Sequence, residues 1–203
     1  MEPEVYIRHL ENEESHWWFK GRRQIIQFLI KRNINTKEKK INILDFGSGS
    51  GTNIKMLNSF GNVYAYEKNI KASNFLREKF KSSENIKIIE NFDKKDFFDL
   101  IVVADVIEHI KRTDEGIFVG NIADSLTKDG VFIVGSPSLE SQVHASEQSK
   151  IGHVNCKTSN ELKSLLENYF RNVFIFSMND EVVHTGFYPM AHYYIGLCCG
   201  PEK

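Results

Sequence analysis

The sequence lacks several things, and each absence removes a class of function. Charge of one sign is not in surplus: 26 Lys and Arg face 27 Asp and Glu, a net charge near −1 at pH 7. Phosphate contacts usually demand a basic surplus, so no nucleic-acid partner is expected. No apolar run approaches the ~20 residues that a bilayer-spanning helix needs, so no membrane role is expected either. The opening stretch MEPEVYIRHLENEESHWWF is acidic and has no apolar signal core, which argues against a secretion signal. Cysteine is scarce. Cys156, Cys198 and Cys199 are odd in number and two are adjacent, so no disulfide framework is visible and a reducing, cytoplasmic setting is expected. Internal repeats, low-complexity tracts and linkers are missing as well. The 203 residues, 41% apolar and 26% charged, suit one domain around one sizeable core.

Apolar residues at helical spacing, among them Ile25, Ile26, Phe28 and Leu29, predict a helix within an N-terminal cap over residues 1–40. Over 41–203, INILDF, VYAYE, IKIIE and FDLIVVAD read as strands, with helices at TNIKMLNSF and KASNFLREKF. A helix near EGIFVGNIADSL, a turn at Asp129–Gly130 and the strand VFIVGSP come next. In TSNELKSLLENYF, Thr158 or Ser159 is the expected N-cap and Glu161 can complete a capping box. NVFIFSM and AHYYIGLCC are the closing strands. This alternation predicts a single α/β domain of three layers on a mainly parallel sheet.

The most telling stretch is ILDFGSGSGTNIKML. Gly47, Gly49 and Gly51, with Ser48 between the first two, separate a strand from a helix, so the backbone can turn sharply and admit a ligand closely. Glu67 ends the next strand, where a carboxylate can take both hydroxyls of a ribose. A dinucleotide site wants G-x-G-x-x-G, but position 52 is Thr52. Asp45 would suit a ligand with an amino group and oppose a pyrophosphate. The spacing D-x-G-x-G-x-G resembles motif I of class I S-adenosylmethionine (SAM)-dependent methyltransferases. The resemblance implies a Rossmann-like seven-stranded sheet with an antiparallel last strand. It also implies SAM as cofactor, with S-adenosylhomocysteine as product.

FDLIVVADVIEHI extends the resemblance, which implies that Ala104 and Asp105 lie beside the cofactor. Asp105, Glu108 and His109 fall at i, i+3 and i+4, one face of a helical turn. With His153 they resemble the E-x-x-E-H and later His of ubiquinone-pathway O-methyltransferases and small-RNA 3′-end methyltransferases, where the cluster holds a metal. Asp105 replaces the first Glu of that pattern, and the metal-free reading is preferred. There Glu108 orients His109, and His109 or His153 is a general base or part of a structural pair.

ESHWWFKGRR resembles the HWWF…RR segment before motif I in a broad bacterial branch of the same superfamily. The resemblance implies a cover over the cofactor: Trp18 near the sulfonium, Trp17 near the substrate, and Arg23 or Arg22 on a carboxylate. The loop NDEVVHTGFYPM, with Asp180, His184 and Tyr188, is expected over the reaction site as substrate contacts. The expected activity is methyl transfer from SAM to an O or N atom of a small-molecule acceptor. The alternatives are a metal-assisted O-methyltransferase of quinol type, a nicotinamide-dependent oxidoreductase, and a non-catalytic SAM-binding protein.

Overall fold

The computed structural model describes residues 13–35, 40–179, 183–186 and 190–202. Helix α1, Trp17–Asn33, starts where His16 Nδ1 accepts from Trp18 N–H and ends with Lys31 and Arg32 beside its open carbonyls. Gly21, Arg22, Ile25, Ile26, Leu29 and Ile30 are buried on it. Strand β1 (Ile41–Phe46), α2 (Thr52–Asn58), β2 (Gly61–Tyr66), α3 (Ile70–Phe80), β3 (Ile86–Ile89) and β4 (Phe98–Ala104) follow in the predicted alternation. Then come α4 (Glu115–Ser125), β5 (Leu126–Pro137), a short helix α5 (Glu147–Gly152), α6 (Ser159–Glu167), β6 (Phe170–Met178), β7 (Val183–His184) and β8 (Tyr193–Pro201). The α6 capping box is present: Thr158 Oγ1 accepts from Glu161 N–H, and Glu161 Oε2 accepts from Thr158 N–H.

The strands lie in the order β3-β2-β1-β4-β5-β8-β6-β7. The first five run parallel, and β8 is antiparallel to both β5 and β6. This is the expected seven-stranded sheet, with a two-residue eighth strand, β7, added at the edge against Ser177 and Met178. Alternate residues of each strand face opposite layers. Ile43, Leu100, Val102 and Ile133 pack with α1, α2 and α3 on one side, whereas Leu44, Ile101, Val103 and Phe132 pack with α4 and α6 on the other. Leu100, Ile101, Val102 and Val103 are wholly buried, each contributing roughly 1.5–3 kcal/mol relative to exposure.

One expected turn takes another form. Asp129–Gly130 does not separate α4 from a strand; it sits inside β5, where Phe98 pairs with Leu126 and Leu100 with Val131. Residues 127–130 therefore bulge from the strand. Among the described residues no helix is long and apolar enough to cross a membrane. The order in which strands are added reverses between β1 and β4, and a crevice opens beyond the carboxyl ends of these parallel strands, where open α/β sheets take their ligands.

Candidate active site

The glycine loop fills that crevice. Gly47, Gly49 and Gly51 have φ of 77°, 52° and 81°, the left-handed region that side chains disfavour. A Cβ on Gly47 would collide with Val106 Cγ2, whereas one on Gly49 would meet nothing closer than the Gly47 carbonyl at 4.0 Å. The loop is thus packed tightly on one side and open on the other. Gly47 and Ser48 N–H groups donate to the Tyr66 carbonyl at 2.8 and 3.1 Å, which ties the loop to the end of β2. Just beyond, Glu67 accepts from Gly49 N–H at 2.9 Å and from Asn69 N–H at 2.8 Å, so its carboxylate is fixed before any ligand arrives.

Asp45 lies behind the loop, 3% exposed. Burial pushes its carboxyl up to about 7, with Glu67 and Glu13 adding to the effect, and its Oδ2 has no hydrogen-bond partner among the described residues. Gly47, Ser48, Gly49, Glu67, Ala104 and Asp105, all expected around the cofactor, line one cavity of about 620 Å³. Its size suits a nucleoside-bearing ligand. Phe46, Tyr66, Val106 and Ile110 supply apolar walls. Asp45 and Gly51 support the loop from behind without lining the cavity.

Asp105 follows β4 with φ of 57°, rare for a residue with a side chain. Its N–H donates to the Gly135 carbonyl at 3.0 Å. Its carboxylate is paired with Arg22, which also reaches the Tyr193 hydroxyl at 3.4 Å. Arg22 is 6% exposed. Burial alone would weaken its charge, but Asp105 and Tyr193 outweigh that and raise its pKa. The arginine that lines the cavity is Arg22, and Arg23 falls outside the lining.

Neither tryptophan lines this cavity. Trp18 packs edge-on against Tyr193, centroids 5.9 Å apart, and lines a second cavity of about 420 Å³ rather than the first. Trp17 is 51% exposed and packs edge-on against Trp18. The second cavity also takes in His144, His153, His192, Gln142 and Tyr193, and Asp105 lines both cavities. Ser50 and Glu13 escaped the sequence reading, and Thr52 entered it only as evidence against a dinucleotide; nothing in the sequence marked Glu13.

The acidic–histidine cluster departs from expectation. Ile107–His109 form a single 3-10 turn rather than an α-helical face, and Asp105 stands before it in its left-handed conformation, engaged by Arg22. Glu108, His109 and His153 do meet, with one ligand atom of each within 4.8 Å of the others. Asp105 is not in that group. Glu108 is fully buried, and burial first, then Asp105, pushes its carboxyl up. Ser136 Oγ lies 3.4 Å from its Oε2, and its Oε1 has no partner among the described residues.

Glu108 does not orient His109; the Gly152 carbonyl does, accepting from Nδ1–H at 2.8 Å. Gln142 donates its amide to the Ser138 carbonyl and Ser141 Oγ, which turns its Oε1 to His153 Nδ1 at 2.9 Å. Each imidazole thus donates from Nδ1, and in the neutral ring this leaves the lone pair on Nε2. Their rings stand 5.3 Å apart. Burial, then His109, lowers the pKa of His153.

Of the expected substrate contacts, Asp180 and Tyr188 lie outside the described residues. His184 falls in β7 at the sheet edge, and its side chain is likewise outside the description.

An open sheet in this order, with a glycine loop at the reversal and an antiparallel strand slotted beside β5, is the architecture of class I SAM-dependent methyltransferases, and this chain is one of them. Residues 17–170 match the model of a family described as a methyltransferase domain, and the chain belongs to that family. Ribosomal RNA small subunit methyltransferase G of Malacoplasma penetrans is 30% identical, over 67% of this chain and 65% of that protein. The match thus spans just under two thirds of that relative's length. The N-methyltransferase NodS from Bradyrhizobium japonicum superposes with a TM-score of 0.70 at 16% identity, covering 93% of this chain and 99% of that one. The 1,6-didemethyltoxoflavin-N1-methyltransferase of Burkholderia thailandensis, crystallised with 1,6-didemethyltoxoflavin and S-adenosylhomocysteine, gives 0.65 at 13% identity, covering 98% and 87%. At these identities the two structural likenesses are of fold.

Proposed function

We propose that the cavity at the glycine loop holds SAM and that the second cavity holds a small-molecule acceptor whose O or N atom is methylated. The carrying observation is that Asp105 lines both cavities, so the two compounds meet at the end of β4. The residues fit the cofactor: Glu67 is preset for a ribose, the open face of Gly49 admits close approach, and the partnerless Asp45 oxygen favours a nearby cation. SAM, when bound, supplies a methyl group on a sulfonium, which an in-line nucleophile displaces.

The chain's own residues position and deprotonate. Arg22 and Asp105 hold the end of β4 in its left-handed turn. His109 lines the first cavity and His153 the second, each with an Nε2 lone pair able to take an acceptor proton. Among the described residues the second cavity is lined by no lysine or arginine, so it offers no charge for a phosphate backbone. That favours a small acceptor over RNA, despite the ribosomal RNA specificity named for the Malacoplasma relative.

A second reading rests on the meeting of Glu108, His109 and His153. Two imidazole lone pairs and a partnerless carboxylate oxygen could take a divalent cation, which would lower the pKa of an acceptor hydroxyl. Calorimetric titration with SAM before and after EDTA, followed by Mg²⁺ or Zn²⁺, separates the two. Micromolar binding indifferent to chelation supports the metal-free reading. Metal uptake confirmed by elemental analysis supports the second, and absence of SAM binding refutes both.

A further inference from the structure

Glu13 precedes α1 and lines the first cavity. Its Oε2 accepts from Ser50 Oγ and from Thr52 Oγ1, both at 2.6 Å. The adjacent Glu14 carboxylate lies 3.6 Å from Lys55 Nζ, a second fastening to α2. A carboxylate is thus fixed on the glycine loop, where the loop's own geometry would otherwise welcome an anion.

Both oxygens of Glu67 accept from backbone N–H groups, which leave its charge in place. Asp45 lies behind the loop with one oxygen lacking a partner. Arg22, the buried cation of the cavity, is committed to Asp105. Lys68 lines the cavity but is exposed; Lys79 donates to the Ser50 carbonyl at 3.1 Å, which leaves its charge in place, and Arg23, outside the lining, also lies within reach of Glu13's charge. Glu13 and Glu67 thus put two carboxylates on the loop side of the cavity, and among the described residues Glu13 makes no salt bridge. SAM carries a cation on its amino-acid end, as an ammonium.

We propose that Glu13 is a cofactor-recognition residue: its carboxylate, aimed by Ser50 and Thr52, is the counter-charge for the ammonium of the cofactor's methionyl end. The assignment rests on SAM occupying this cavity, as proposed above. The same carboxylate repels the pyrophosphate of a dinucleotide, so one side chain both selects and excludes.

The test is calorimetric titration of the full chain with S-adenosylhomocysteine, with its analogue lacking the amino group, and with 5′-methylthioadenosine, which lacks the whole amino-acid end. In the wild type, loss of the amino group should weaken binding about tenfold, as for a partly exposed charge-assisted pair. Glu13→Gln should cost S-adenosylhomocysteine about the same factor and leave the other two ligands within about twofold. Ser50→Ala with Thr52→Val, which frees the carboxylate without removing it, should give a smaller loss for S-adenosylhomocysteine alone. Equal losses for all three ligands would make Glu13 a structural fastening. Unchanged or tighter S-adenosylhomocysteine binding would make it a bystander or a competitor of the ligand carboxylate, and any of these results overturns the assignment. Failure of the wild type to bind S-adenosylhomocysteine overturns the placement of SAM itself, which is a different result.

Discussion

Replacing Asp45 by Asn should stabilise the ligand-free protein, and by more as pH rises. The carboxyl is 3% exposed and burial raises its pKa from 3.8 to about 7. Below about pH 4 the acid is neutral whether folded or unfolded, and nothing is lost. Between the two pKa values the unfolded chain ionises while the folded chain does not, so stability falls as pH rises and the loss is complete above the folded value. At 1.36 kcal/mol per unit the loss is about 1.5 kcal/mol at pH 5 and about 4 kcal/mol at pH 8. Asparagine has no charge to lose. The gain of Asp45→Asn over wild type should therefore grow by roughly 2–3 kcal/mol between pH 5 and pH 8. Urea denaturation at both pH values, without cofactor, measures it from paired midpoints with the slope held common. A gain that is the same at both pH values, or a larger loss at pH 8, would refute the burial argument. Adding SAM should shrink the difference, because a bound cation stabilises the ionised carboxylate.

Gly47→Ala forces a Cβ against Val106 at a positive φ; it should cost about 1–3 kcal/mol in a denaturation midpoint and at least tenfold in SAM affinity by calorimetry. His153→Ala should lower kcat about 100-fold with the SAM affinity unchanged, once an acceptor is known; an unaltered kcat would remove it from proton transfer. Thr158→Ala breaks the α6 capping box and should cost about 1 kcal/mol with no effect on ligand binding, read by thermal melting against SAM titration.

Most of the fold was legible because the strands and helices differ in period and in length. The apolar run around Leu100 and Val103 marks a strand covered on both faces, and Thr158 with Glu161 marks a helix start through chemistry confined to four residues. The glycine loop and Glu67 were legible for the same local reason. What failed depended on geometry that spacing does not carry. Asp105, Glu108 and His109 have helical spacing, but the left-handed turn at Asp105 sends its carboxylate to Arg22 and breaks the face. Arg22 was within reach of a finer reading: Ile25, Ile26 and Leu29 follow at three, four and seven residues, which places it on the buried stripe. Glu13 was not, since its partners Ser50 and Thr52 are distant in sequence and hydroxyls carry no pattern. Strand β7, two residues long, is set by its pairing with β6 rather than by its own composition.

The position of β8 has a consequence for how the protein comes into being. It is made after the other seven strands, yet it lies inside the sheet, bonded to β5 on one side and β6 on the other. Until Tyr193–Pro201 leaves the ribosome, β5 and β6 each present an unpaired edge to solvent. Tyr193, the neighbour of Arg22 and a wall of the second cavity, arrives with that same strand. A nascent chain could thus form its glycine loop early while the second cavity stays unbuilt, so any chemistry that needs both cavities waits on the last strand to insert.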